Sequence, residues 1–190
     1  VAAVSMYISA KNNTQSVLLC PTEVLAEQHF KNFSVWFKNS DIKIELLTGK
    51  MPISKRRGIY QDLEDGEIDI LIGTHAVFQD KVKMKNLGLI VVDEQQRFGV
   101  KQRFDLVKKS SDKIMPHQLF MTATPIPRTL AMTIFADLET SKIDELPPGR
   151  KPVETLVYSD KKKDEIVKRL ETVCKSGNQV FWLCTMIEES

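Results

Sequence analysis

The sequence predicts an α/β protein built on a parallel β-sheet with flanking helices. Three observations carry that expectation. Four short apolar runs, Val17–Cys20, Ile70–Ile72, Leu89–Val92 and Leu119–Met121, each run straight into a polar cluster. The runs are almost continuously apolar, as suits strands buried on both faces. Segments with helical or loop character separate them, as parallel connections require. In such a sheet the carboxyl ends of all strands share one edge, and ligands bind in the crevice outside it. A carboxylate pair, several hydroxyls and a histidine are therefore expected together in one cleft.

Val1–Ala10 reads as the tail of a helix, because no helix start signal and no initiating Met precede it; the chain is expected to be a fragment. Lys11–Gln15 is a polar turn and Ser16–Cys20 the first strand. Thr22 sits where an N-cap belongs, and Leu25, Ala26, His29, Phe30, Phe33, Trp36 and Phe37 follow at helical spacing. Ile42–Leu47 alternates as a strand and ends at Thr48-Gly49-Lys50. Ser54 is the expected N-cap of a helix that carries Lys55, Arg56 and Arg57 and stops at Asp65-Gly66. Ile68–Ile72 and Leu87–Val92 are the next strands, Gly99–Lys109 a helix, and Gln118–Met121 a strand. Pro125 and Pro127 delay any further helix to Arg128, with Thr129–Phe135 helical and Leu138–Ile143 a short strand.

Pro147-Pro148-Gly149 marks a boundary, since this trio neither continues a helix nor pairs in a central strand. Beyond it, Val153–Tyr158, Lys161–Cys174 and Gln179–Cys184 read as strand, helix, strand. The expected organisation is a first domain over 1–146, a linker over 147–152 and the first βαβ unit of a second domain over 153–190.

Lys and Arg number 27 against 25 Asp and Glu, so the net charge of +2 excludes a strong overall field for nucleic acid but not a local basic groove. The cysteines Cys20, Cys174 and Cys184 form no metal-ligand spacing, and a sparse odd count suits reduced thiols in the cytoplasm. No apolar stretch approaches the ~20 residues that span a bilayer, and Val1–Ala10, without a basic n-region or a cleavage site, is not expected to be a signal peptide. His29, His75 and His117 are too scattered for a zinc site.

Asp93-Glu94, at the end of a buried strand, suits a Mg²⁺ ligand beside a carboxylate that orients or deprotonates water. The same pair also suits a solvated strand end. Thr122-Ala123-Thr124 precedes two prolines and presents two hydroxyls on a fixed backbone, or simply opens a helix. Pro21-Thr22, Thr48-Gly49-Lys50 and Thr74-His75 occupy turns on the same edge, where hydroxyls and free amides suit phosphate contacts or ordinary caps.

In order along the chain, Pro21-Thr22-Glu23-Val24-Leu25-Ala26-Glu27-Gln28, Thr48-Gly49-Lys50, Ile72-Gly73-Thr74-His75, Val92-Asp93-Glu94-Gln95-Gln96-Arg97-Phe98-Gly99 and Met121–Leu130 resemble motifs Ia, Ib, Ic, II and III of superfamily 2 helicases. Arg97-Phe98-Gly99 and the Thr124–Leu130 run are similar to double-stranded DNA translocases of the RecG and transcription–repair coupling factor type. Asp144–Arg150 and Trp182–Ser190 resemble the RecG group more closely.

The resemblance implies a RecA-like first motor lobe, the start of a second RecA-like lobe, ATP and Mg²⁺ as cofactors, and branched or double-stranded DNA bound with low sequence specificity. It implies that Asp93 holds Mg²⁺, Glu94 activates the water with Gln96 beside it, and Thr122, Ala123 and Thr124 couple hydrolysis to lobe movement. It places Pro21, Thr22, Gly49, Lys50, Thr74 and His75 on the DNA track. The expected function is an ATP-dependent DNA helicase, acting as a cytoplasmic monomer, that remodels branched DNA in recombination and repair. The alternatives are a coupling-factor translocase and an inactive α/β binding fragment. There are two departures: Gln96 stands where RecG relatives usually have His, and no Gly-x-x-x-x-Gly-Lys-Thr phosphate loop occurs. The resemblance implies that this loop lies before Val1, so the chain alone is expected to be inactive.

Overall fold

The computed structural model describes residues 1–98, 115–124, 139–145 and 147–183. The chain divides into two compact units, Val1–Asp137 and Leu138–Ser190. The expected helices over 99–109 and 129–135 lie outside the described residues.

The first unit opens with α1 (Ala2–Lys11), β1 (Gln15–Leu19), α2 (Glu23–Trp36), β2 (Ile44–Leu47) and α3 (Ile53–Asp65). It continues with β3 (Ile70–Gly73), a 3₁₀ turn (His75–Phe78), β4 (Leu87–Val92), a second 3₁₀ turn (Gln95–Arg97) and β5 (His117–Phe120). Among the described residues the strands form a five-stranded sheet in the order β2-β3-β1-β4-β5, with every pairing parallel. Strand ends differ from the sequence expectation by one or two residues, because ladder pairing and not composition sets where each strand stops.

Alternation builds the two faces. Val17 and Leu19 of β1 join Leu71, Ile90 and Val92 on one face, under α3 residues Ile59 and Leu63. Leu18 and Cys20 join Ile70, Ile72, Leu89 and Val91 on the other, under Met6 of α1 and Ala26 and Phe33 of α2. Both faces are covered, and for that reason the strands read as unbroken apolar runs. Burial raises the Cys20 thiol to about 12, with the nearby Asp93 charge adding to it, so it stays protonated.

Thr22 caps α2 as expected, accepting a hydrogen bond from Leu25 N at 3.3 Å. The start of α3 differs. Pro52, not Ser54, stands at the cap position, and no side chain caps the helix. The Pro52 carbonyl takes the first helical bond from Arg56 N, so the helix begins one residue before Ser54. Gly66 ends α3 at φ +81°, a left-handed turn that glycine adopts without strain.

In the second unit, a 3₁₀ turn (Asp160–Lys162) leads into α4 (Lys163–Lys175), where the sequence placed its helix. The flanking segments differ from expectation. Residues 153–159 and 178–183 carry no strand ladder, and neither do 139–143. Val157, Phe181 and Leu183 are largely exposed. Apolar composition makes a strand possible, but only a paired neighbour makes one stable.

Candidate functional site

The carboxyl edge of the sheet collects the polar clusters in the order its strands dictate. Thr48-Gly49-Lys50 follows β2, Thr74-His75 follows β3, and Pro21-Thr22 lies just past β1. Asp93-Glu94 follows β4 and Thr122 lies just past β5. Two adjacent zones result.

The first zone is a cleft of about 390 Å³ lined by Pro21, Glu23, Gly49, Thr74, His75, Ala76 and Gln79. It brings together residues from the ends of β1, β2 and β3. Thr74 is buried, and its amide donates to Leu47 O at 3.3 Å, which ties this turn to the end of β2. The His75 ring lies 5.5 Å from that of Phe98 and 6.0 Å from that of Phe78. Lys50 is on the rim, 88% exposed, with its ammonium 2.9 Å from Glu23 Oε2 and its amide donating to Glu23 Oε1 at 3.3 Å. Sequence reasoning passed over Glu23. It is the first residue of α2, and its carboxylate faces the Gly49-Lys50 turn from across the cleft.

The second zone is a polar network. Asp93 N donates to Leu19 O, fixing the residue at the end of β4 beside β1. Its Oδ1 accepts from Glu94 N at 3.0 Å, and its Oδ2 lies 3.1 Å from His29 Nε2 of α2. Glu94 adopts φ 50°, ψ 55°, a left-handed conformation that is uncommon for a non-glycine residue and costs about 1–3 kcal/mol. This turn sends the chain back towards β5. Gln95 N then donates to Met121 O, Gln96 Nε2 donates to Glu94 Oε2 at 2.6 Å, and Thr122 Oγ1 donates to Gln96 Oε1 at 3.0 Å. The Thr122 hydroxyl also accepts from Thr124 N at 3.1 Å and lies 3.4 Å from Thr124 Oγ1. Ala123, between them, is exposed.

Glu94, Gln96, Thr122 and Thr124 thus form one chain of hydrogen bonds, starting beside Asp93. Gln96 is the hinge of that chain because an amide donates on one side and accepts on the other. His29 was also passed over. In the sequence it is one member of a core-facing helical stripe, and only the fold shows that it meets Asp93.

Among the described residues no group of three or more His, Cys, Asp or Glu could hold a metal ion. A lone, partly exposed carboxylate does fit Mg²⁺, which keeps most of its waters and binds through one or two carboxylates plus substrate phosphates. Asp93 and Glu94 are the carboxylates of the network, and Asp93, at the strand end with its side chain 21% exposed, is the one that fits this description.

Residues 1–133 match the DEAD/DEAH box helicase family. Across its whole length the chain is 47% identical to the ATP-dependent DNA helicase RecG of Haemophilus influenzae and 46% identical to that of Aquifex aeolicus. It spans 28% and 24% of those relatives' own lengths. A solved structure of RecG bound to a three-way DNA junction superposes with a TM-score of 0.75 at 34% identity, covering 93% of this chain and 23% of that one.

Proposed function

The chain belongs to the DEAD/DEAH box helicase family, and on that premise we propose that it forms the motor core of an ATP-dependent DNA helicase that remodels branched DNA. In this reading residues 1–146 belong to the first motor lobe, 147–152 are the linker and 153–190 open the second lobe. The protein acts as a monomer in the cytoplasm. The hydrogen-bonded chain from Glu94 through Gln96 to Thr122 and Thr124, beside Asp93, is the observation that carries the reading.

Asp93 holds Mg²⁺, which when bound neutralises charge on the nucleotide phosphates. Glu94 orients the hydrolytic water and accepts its proton. Its carboxylate keeps one direction because Gln96 donates to it at 2.6 Å, and Gln96 is itself held by the Thr122 hydroxyl. A change at Glu94 during hydrolysis therefore reaches the Thr122-Ala123-Thr124 segment through two hydrogen bonds, and that segment passes it to lobe movement. Gln96 cannot titrate as a histidine would, so the link keeps its donor and acceptor roles at every physiological pH.

The cleft zone takes DNA. Pro21, Thr22, Gly49, Lys50, Thr74 and His75 lie on or near the phosphate track, where hydroxyls and the Lys50 ammonium, once it is shared with or released from Glu23, meet the backbone. Such contacts are tolerant of sequence and weaken with salt. RecG relatives of 46–47% identity and a neighbour solved on a DNA junction favour branched DNA over a coupling-factor role.

Glu94→Gln in the full-length protein is the test. General-base catalysis contributes roughly 10²–10⁴-fold, so DNA-stimulated ATP hydrolysis is expected to fall at least ~100-fold while fluorescent nucleotide binding persists. Undiminished turnover on forked DNA removes Glu94 from this role and the reading with it.

A further inference from the structure

We propose that His29 is a positioning residue for Asp93, fixing the carboxylate that binds Mg²⁺ and tying it to the helix that borders the DNA cleft. The proposal rests on the reading of Asp93 as the magnesium ligand and adds what holds that ligand in place.

Each oxygen of Asp93 takes one partner. Oδ1 takes the Glu94 amide at 3.0 Å and Oδ2 takes His29 Nε2 at 3.1 Å. A carboxylate only accepts, so Nε2 must carry the proton of this bond, and each oxygen keeps a lone pair for a metal or its water. The imidazole is itself held. Its ring meets that of Phe33, one turn along α2, edge-on at 6.3 Å and 90°, and Phe33 is only 2% exposed. The His29 and Asp93 side chains are 27% and 21% exposed, so water does not freely replace the bond. A core histidine needs any acceptor. This one takes an oxygen of the acidic pair, 64 positions away, on the neighbouring strand end.

The second part of the inference follows from α2. Thr22 caps the helix at the cleft and Glu23 holds Lys50 from its first turn. His29 comes seven residues after Thr22, about 10 Å along a rigid helix at 1.5 Å per residue. Any shift of the α2 start on DNA binding therefore moves the imidazole that orients Asp93. The two zones share this helix, and His29 is where it touches the second.

The experiment uses the full-length protein with a fluorescent ATP analogue, titrated with Mg²⁺, and reads Mn²⁺ binding by paramagnetic resonance alongside. Outer-sphere partners of metal ligands are worth 10–100-fold in metal affinity. His29→Ala and His29→Phe are expected to raise the Mg²⁺ midpoint for nucleotide tightening about tenfold and to weaken Mn²⁺ binding in parallel. Nucleotide binding in chelator is expected to stay as in the wild type. His29→Phe keeps the contact with Phe33, so it reports the lost hydrogen bond even where His29→Ala fails to fold. His29→Gln offers an amide donor at similar reach and is expected to recover most of the affinity. A wild-type Mg²⁺ midpoint in His29→Phe, or a His29→Gln no better than His29→Phe, overturns the proposal and leaves Asp93 untouched. A wild-type protein whose nucleotide binding ignores Mg²⁺ instead removes the role of Asp93, and this proposal falls with it.

Discussion

The Lys50 ammonium lies 2.9 Å from Glu23, and that pairing changes what a phosphate contact means there. The hydrogen bond from Lys50 holds the Glu23 carboxyl below its ordinary range, and the same bond raises the Lys50 ammonium. A lowered carboxyl value leaves the pair intact above the usual carboxylate range and loses it only as pH falls through that lowered value. The raised amine value keeps the pair until pH climbs past the lysine range, so at neutral pH it is fully present. On the proposed DNA track, a phosphate at this turn would have to share Lys50 with Glu23 or displace it. Lys50→Ala is expected to weaken DNA binding alike across sequences and to reduce the salt slope by about one, the signature of one lost phosphate contact. Glu23→Gln is expected to do the reverse, tightening binding by freeing the ammonium. Titrations of forked DNA across a salt series check both, and an unchanged slope in Lys50→Ala makes it an ordinary surface lysine.

Strands such as β1 and β4 were legible because burial on both faces leaves no polar alternation, only a short apolar run with a polar stop. Their order in the sheet was not legible, because nothing in a run of Val, Leu and Ile names its neighbour. Gln15 shows the same limit in one side chain. It reads as the end of a polar turn, yet it is buried, donates to Leu63 O at 3.0 Å and Ile68 O at 2.8 Å, and accepts from Asn86 N at 3.1 Å. The acidic pair and the threonines were legible as edge residues, whereas Glu23 and His29 looked like routine helix positions until the fold gave them partners. The segments around α4 err in the other direction, since apolar composition there is not matched by a ladder. Gly73 also looks like turn punctuation, but a Cβ there would meet the Leu47 carbonyl oxygen at 2.6 Å and Val77 Cγ2 at 2.6 Å. The carbonyl is backbone of the paired strand and cannot swing away. Gly73→Ala is accordingly expected to spread β2 from β3 and cost about 1–3 kcal/mol, as overpacking does. Urea unfolding of the chain followed by circular dichroism measures it, and a loss under about 0.5 kcal/mol, the size of an ordinary surface change, shows that the close approach is relieved at no cost.

With a net charge of only +2, these 190 residues carry no strong overall field, so in the proposed function their contribution to DNA binding and to chemistry depends on where the sheet edge puts a few groups. The order β2-β3-β1-β4-β5 sorts those groups, with the cleft at the ends of β2, β3 and β1 and the acidic network at the ends of β4 and β5. β1 stands between them and feeds α2, which contacts both. On the proposed function, hydrolysis and strand separation can therefore be uncoupled by substitution within one sheet, and the Thr122-Ala123-Thr124 segment is the place to test it. Among the described residues neither hydroxyl bonds Asp93 or Glu94 directly, and the side-chain path to Glu94 runs through Gln96. Removing both hydroxyls keeps both carboxylates and the bond from Gln96 to Glu94, but it frees the far side of Gln96 and cuts the path from there to Thr122 and Thr124. In the full-length protein, Thr122→Ala with Thr124→Ala is expected to keep DNA-stimulated ATP hydrolysis within about tenfold, because no group that meets developing charge is lost. Unwinding of a forked duplex is expected to fall much further, since each hydrolysis event no longer moves the chain. Parallel assays of phosphate release and strand separation give the ratio directly. Equal losses in both would mean that the threonines only support the acidic pair, and the coupling role would pass to other residues.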